Sequence, residues 1–252
     1  NPPRKGDVRP CVVSRKRWVL GFCDADTVEL RADAQNCLEL VGFSRMAEAI
    51  RNQFYHGGPD LHVVFGAQVA GITAAQAHVL HNDDDVVFAN TRQLCKHGQF
   101  AFLGGASPET FIEMAHGFGV RLGDTHEEEL RKSSSLRTAW FETWPEHVPL
   151  FKLVGDWIAA GRRRVKGVQL TGTIRQLISG RIRGDTRYTA ALNSLFSGRV
   201  ADAFKEILFR LDDECYTARC TSRHVHGGSK FCTYTGRAIL EGSRPNMFLH
   251  DE

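Results

Sequence analysis

Two groups of residues in this 252-residue chain have the types and spacing for metal chemistry. The first is acidic. Asp24 and Asp26 follow the apolar run Trp18–Cys23, and Asp85 closes the run Asp83, Asp84, Asp85. Carboxylates gathered at strand ends hold Mg²⁺ or Mn²⁺, hard cations that prefer oxygen ligands. In a nuclease such an ion acidifies a water and neutralises charge that develops on the phosphorus centre. The second group is Cys215-x4-Cys220-x3-His224-x-His226-x5-Cys232. Zinc takes four nitrogen or sulfur ligands, so Cys215, Cys220, Cys232 and one of His224 and His226 could hold a structural Zn²⁺ in a loop over 215–232. Arg219, Arg223 and Lys230 interleave with these residues and would suit an RNA-facing loop. The plainer alternatives are turn acids after a strand for Asp24 and Asp26, a charged helix start for Asp83–Asp85, and a histidine-rich hairpin for 215–232.

The elements that would position these groups come from hydrophobic periodicity. Trp18–Cys23, Leu61–Phe65, Phe100–Leu103 and Val120–Leu122 read as short buried strands. Between them, 32–53 has helical spacing with a break at Gly42, and 73–80 reads as a helix. Asp83–Asp85 open another helix, because acids favour its N-terminal dipole, and Gly98 stops it. Ser107 and Pro108 are an N-cap and first helical residue for a helix through His116. This alternation predicts an α/β domain over 18–125, with a parallel sheet flanked by helices and a site at the strand ends. Residues 1–17 form a basic arm, and 126–149 read as a polar connector. Residues 150–252 are mainly helical, with Leu170, Ile174, Leu177 and Ile178 as one helical face and 191–211 as a longer helix; a winged-helix-like module is one form this region could take.

Composition bounds the rest. Hydrophobic residues at 42% and charged residues at 24% are ordinary globular usage. No apolar run reaches the length of a membrane helix, so no membrane partner is expected. Seven cysteines, an odd number, do not resemble a secreted disulfide framework. A reducing intracellular compartment is expected, cytoplasm or mitochondrion, and the non-Met start is compatible with a removed transit peptide. The formal charge of +3 says little, but its distribution says more. Arg162, Arg163, Arg164 and Lys166, followed by Arg175, Arg181 and Arg183, are the leading candidates for RNA contact; a solvated surface or an acidic protein partner would use the same residues.

The run Val19–Thr27 resembles the first motif of NYN-type PIN domains, where an apolar strand ends in Asp-x-Asp-Asn. Asn82–Phe88 resembles their motif in which an Asp opens an apolar helix, and Phe100–Phe111 with Gly119–Leu122 resembles their late strand, loop and helix. The resemblance covers a little over 100 residues and implies a PIN-like, metal-dependent endoribonuclease fold. It makes Asp24 the principal ligand, Asp26 its neighbour and Asp85 a second ligand for Mg²⁺ or Mn²⁺. The family's late loop carries two acids where this chain has Ala106 and Pro108, and Glu109 lies one residue away; Thr27 replaces the Asn. These departures imply weakened or lost nuclease activity. The expected function is therefore an RNA-associated protein in RNA processing or ribonucleoprotein assembly, with protein partners. The alternatives are an active endoribonuclease using Asp24, Asp26, Asp85 and Glu109, and a haloacid-dehalogenase-like phosphatase, whose first motif the Asp24–Val28 run resembles.

Overall fold

A computed structural model describes Lys16 and residues 25–160, 163–164 and 170–217. The chain divides into two compact units. One holds Thr27–Val200; the other holds 1–26 and 201–252, of whose described part Ala201–Thr217 is helical.

The described residues form nine helices and a small antiparallel sheet. Along the chain run α1 (Val28–Leu40), α2 (Arg45–His56), α3 (Leu61–Ala70), α4 (Ala74–Asn82), α5 (Val86–Leu103), α6 (Pro108–Gly117), α7 (His126–Thr143) and α8 (His147–Ala160). Then come β1 (Arg163–Arg164), β2 (Leu170–Arg175), β3 (Ile182–Thr186) and the long α9 (Tyr188–Thr217). The strands lie in the order β1-β2-β3, all antiparallel, with Arg175 opposite Ile182 and Ile174 opposite Arg183.

Among the described residues, the parallel sheet flanked by helices expected from the sequence is therefore replaced by a helical fold; the first expected strand, Trp18–Cys23, lies outside them. Leu61–Phe65 is the first half of α3 and Phe100–Leu103 the last turn of α5; Val120–Leu122 is an irregular loop between α6 and α7. The physical reason is burial. In α3, Leu61, His62, Val63, Phe65, Gly66 and Ala67 are all buried, so the helix has no polar stripe and reads as a short apolar strand. Gly98, expected to end a helix, sits inside α5. A Cβ there would lie 3.2 Å from Phe102 and 3.3 Å from Leu136, so the missing side chain lets α5 approach α7. Leu170–Ile178, expected to be helical, supplies β2, whose Gly172 lies against α8; a Cβ at Gly172 would come within 2.7 Å of the Ile158 Cα.

Several expected elements form. The break near Gly42 separates α1 from α2, α4 covers the 73–80 segment, and α9 covers 191–211. Ser107 caps α6 by accepting from Thr110 N, with Pro108 at its first position. Thr73 and Gln76 form a capping box on α4. The stretch read as a connector carries α7, capped by Thr125 with Glu127, Glu128 and Glu129 in its first turn.

The main core cluster of the 27–200 unit joins Leu30, Met46, Phe65, Phe102, Phe111, Trp140, Trp144, Val154, Ile174, Leu192 and Leu195, and a smaller one joins Val63, Ala67, Ala77 and Phe88. Aromatic rings dominate the centre of the main cluster. Trp140 meets Phe102, Phe141, His147 and Phe151 with ring centroids 4.5–6.2 Å apart, the tilted and edge-on geometries that such pairs prefer.

Candidate functional site: a groove with a cationic end

α3, α5 and α7 pack around one another, and their solvent side leaves an open groove of about 720 Å³. Its length is set by the two longer helices, α5 and α7, 18 residues each. The floor is apolar: Leu94, Val120, Leu122, Leu136 and Ala139. Gln68 from α3 and Asn90 and Gln93 from α5 add amide groups. At one end Gln68 Nε2 donates to Glu142 Oε2 at 3.0 Å and ties α3 to α7 across the groove. At the other end stand Arg121, Arg131 and Lys132, and a smaller cavity of about 470 Å³ adjoins them at Arg121, Leu122 and Lys132.

The cationic end is built by a buried acid. Glu129 is 3% exposed, although it sits in a run of three glutamates. Its Oε1 accepts from His116 Nε2 at 2.7 Å and from the Leu122 backbone N–H at 3.2 Å. The His116 hydrogen bond holds its carboxyl below the usual range. Glu129 thereby fixes the Val120–Leu122 loop, which presents Arg121 to the groove. Glu128 accepts from Asp124 N and pairs with Lys132 at 2.8 Å. Arg121 and Arg131 make no ion pair among the described residues. His97 lines the wall, stacked on Phe118 at 4.2 Å between ring centroids. Burial and then the nearby Lys96 charge lower its pKa, so near neutrality the ring is uncharged and accepts from the Gln93 amide at 2.9 Å.

The residues singled out by sequence occupy other places. Asp24 lies outside the described residues, and Asp26 is exposed. Asp85 is the N-cap of α5 and accepts from Phe88 N at 2.8 Å, the helix-start role that its run also suggested. Glu109 is exposed in the first turn of α6. Of the zinc-loop set, Cys215 is buried in α9, while Cys220, His224, His226 and Cys232 lie outside the described residues. Of the basic set, Arg162 and Lys166 lie outside them, and Arg163 and Arg164 form β1. Arg175, Arg181 and Arg183 are exposed, but two are tied down: Arg181 donates to the Gly198 carbonyl and Arg183 to the Ser194 hydroxyl, both on α9.

Sequence reasoning missed the groove because its cations sit in a loop and a helix read as a strand and a connector. The available signal was Thr125 followed by three glutamates, an N-cap and acidic first turn. It also missed a buried set on α1 and α8. Asp33, Cys37 and His147 have ligand-capable atoms within 4.8 Å of one another and are the one such group of three among the described residues. His147 is fully buried. Burial alone would lower its pKa, but the Asp33 carboxylate beside it reverses this and holds it above the ordinary value. Burial, with Asp33 and Glu146 close by, drives the Cys37 thiol well above its ordinary range. Comparison of the chain with models of known protein families and with curated protein sequences finds no match.

Proposed function

We propose that this chain binds single-stranded RNA, with the α3–α5–α7 groove holding a nucleotide whose phosphates face Arg121, Arg131 and Lys132. The observation that carries the reading is the pair of exposed arginines, without an ion pair among the described residues, at one end of an apolar groove of about 720 Å³. That volume falls in the range of ligand clefts, and an apolar floor with a few convergent polar groups is their usual lining. A base can lie on Leu94, Leu136 and Ala139 while its edge meets Gln68, Asn90 or Gln93, whose amides carry both donors and acceptors. Exposed arginines suit phosphate through their planar fork of donors. The proposal is one of binding and fits a part in RNA processing or ribonucleoprotein assembly. Arg175 is exposed on β2 and is not among the residues that line the groove.

Fluorescence anisotropy with a labelled mixed-sequence single strand tests this. Replacing Arg121 and Arg131 together by Ala should weaken binding by about tenfold and flatten the dependence of log K on log salt by about 0.7 per lost phosphate contact. Arg175→Ala should have the smaller effect. Binding that is absent in the folded wild-type chain, or unchanged in the Arg121/Arg131 variant, refutes the proposal.

A further inference from the structure

The cluster on α1 and α8 is unusual in where its charges lie. Asp33, Cys37, Glu146 and His147 are all buried, at 0–2% exposure. Asp33 and Cys37 are one helical turn apart on α1, so their side chains share a face, and His147 at the first position of α8 meets that face. His147 Nε2 lies 2.6 Å from Asp33 Oδ2, and Cys37 Sγ lies 3.9 Å from the same oxygen. The other ring nitrogen, Nδ1, donates to the Trp144 carbonyl at 3.1 Å. That bond fixes the tautomer and ring plane and leaves Nε2 as the atom facing the acid and the thiol, the arrangement by which ligating histidines are held by backbone carbonyls. Glu146 supplies the independent observation. Its Oε1 accepts from Ser44 Oγ and Met46 N, both at 2.8 Å, and so caps α2, whereas its Oε2 is buried with no hydrogen-bond partner among the described residues. Glu146 is close enough to influence the titration of both Cys37 and His147. A buried carboxylate oxygen without a partner is costly, and the Glu146 charge acts on the imidazole that Asp33 contacts directly.

We propose that Asp33, Cys37 and His147 hold a zinc ion in a buried site that fastens α1 to α8, with the Glu146 carboxylate nearby. Asp, Cys and His are all zinc ligands, and their three donor atoms already lie within 4.8 Å of one another. A tetrahedron with Zn–N and Zn–O distances of about 2.1 Å has an N···O edge of about 3.4 Å, so the Asp33–His147 pair opens by about 0.8 Å to admit the ion. Binding releases two protons to solvent, the Cys37 thiol proton and the one held between His147 Nε2 and Asp33. The charge of Zn²⁺ then balances the Asp33 carboxylate and the Cys37 thiolate, and Glu146 remains against the positive N-terminus of α2. The inference does not depend on the RNA groove.

The test uses the full chain with Cys215, Cys220 and Cys232 all replaced by Ser, which removes the cysteines of the later Cys/His run. Titrated with Co²⁺ in place of zinc, this protein should bind one ion per chain and show a thiolate-to-cobalt charge-transfer band with the intense visible bands of tetrahedral cobalt. Zinc should displace the cobalt, and adding Cys37→Ser should abolish the charge-transfer band. Persistence of that band in the folded Cys37→Ser chain overturns the proposal, as does failure of the folded triple-Ser chain to bind the ion. X-ray absorption at the zinc edge of the triple-Ser protein keeps the question decidable if Cys37→Ser does not fold. A first shell of one sulfur with nitrogen and oxygen supports the site, and a shell with no sulfur or with several overturns it.

Discussion

Asp60 divides two jobs between its two carboxylate oxygens, and this allows each to be measured. Oδ1 accepts from His62 N at 2.8 Å and Val63 N at 2.9 Å, so it is the N-cap of α3. Oδ2 accepts from Arg92 Nη2 at 2.6 Å and Nε at 3.2 Å and ties α3 to α5. Burial would raise the Asp60 pKa, but the Arg92 hydrogen bonds, the Val63 N–H and the Arg92 charge together hold it below the usual range. Losing a cap costs about 1 kcal/mol. The Arg92 pair is about one-fifth to one-quarter exposed, so its charge-assisted bonds are reduced by solvent to about 1 kcal/mol. Asp60→Ala should therefore destabilise the chain by about 2 kcal/mol. Asp60→Asn keeps an acceptor for the cap and should cost about half as much. Arg92→Met should cost about 1 kcal/mol, and Asp60→Ala with Arg92→Met about 2 kcal/mol, which leaves a coupling of about 1 kcal/mol between the two sites. Urea denaturation of the four variants, read at constant slope, measures all of these. Additive losses in the double variant, or Asn costing as much as Ala, would show that the two oxygens do not act separately.

The same corner of the molecule makes the chain acid-sensitive. Burial lowers the His62 pKa to about 4; Asp60 works against this, and Arg92 and Lys96 add to it. Below about pH 6.5 the unfolded chain takes up a proton that the folded chain refuses until about pH 4, so stability falls across that window, by at most about 3 kcal/mol. Denaturation at several pH values should show that His62→Gln flattens this decline, and an unchanged pH dependence would count against it. Two glycines should resist side chains to different degrees. Gly172→Ala places a Cβ 2.7 Å from the Ile158 Cα and 2.9 Å from its carbonyl oxygen, backbone atoms that cannot yield, so it should cost about 3 kcal/mol or more. Gly98→Ala meets side chains alone, those of Phe102, Leu136 and Phe65; crowding exceeds the helix-propensity gain of about 1 kcal/mol, for a net loss of about 1 kcal/mol. Thermal or urea melts that rank Gly98→Ala as the more damaging would contradict the packing argument. Glu129→Gln should weaken RNA binding several-fold with little change in fold, because it loosens the loop that presents Arg121; anisotropy and circular dichroism check both halves.

Local signals were legible wherever an element announces itself through its ends. Ser107-Pro108, the acids before Val86 and the break at Gly42 all mark helix boundaries, and each is realised. What failed was the choice between strand and helix for short apolar runs buried on every side. Leu61–Phe65 carries the β-branched Val63 and Val64 and no polar face, yet Pro59-Asp60 immediately before it was the better signal, an N-cap that no strand needs. The opposite error fell on 170–178. Leu170, Ile174 and Ile178 keep a helical spacing of four, but Ile174 is buried while Ile178 is exposed. The β-branched Thr171 and Thr173 around Gly172 fit a strand pressed against a helix.

Charges were harder to read than hydrophobic runs, for a different reason. A buried acid looks like a solvated one in sequence, because what licenses its burial comes from elsewhere in the chain. Glu146 is held by Ser44 and Met46, about 100 positions away, and Asp33 by His147, 114 away. Glu129 is distinguished from Glu127 and Glu128 only by the helical phase that turns it toward His116 and Leu122. Of the most conspicuous acids, Asp83 ends α4, Asp85 caps α5, and Glu127 and Glu128 lie in the first turn of α7, where acids favour the dipole. The inconspicuous ones, single acids beside Asn36 and Cys37 or before a histidine, carry the buried network. For a helical chain whose loops cap and whose core is aromatic, an isolated acid one turn from a cysteine is thus a better pointer to a buried polar network than a run of three.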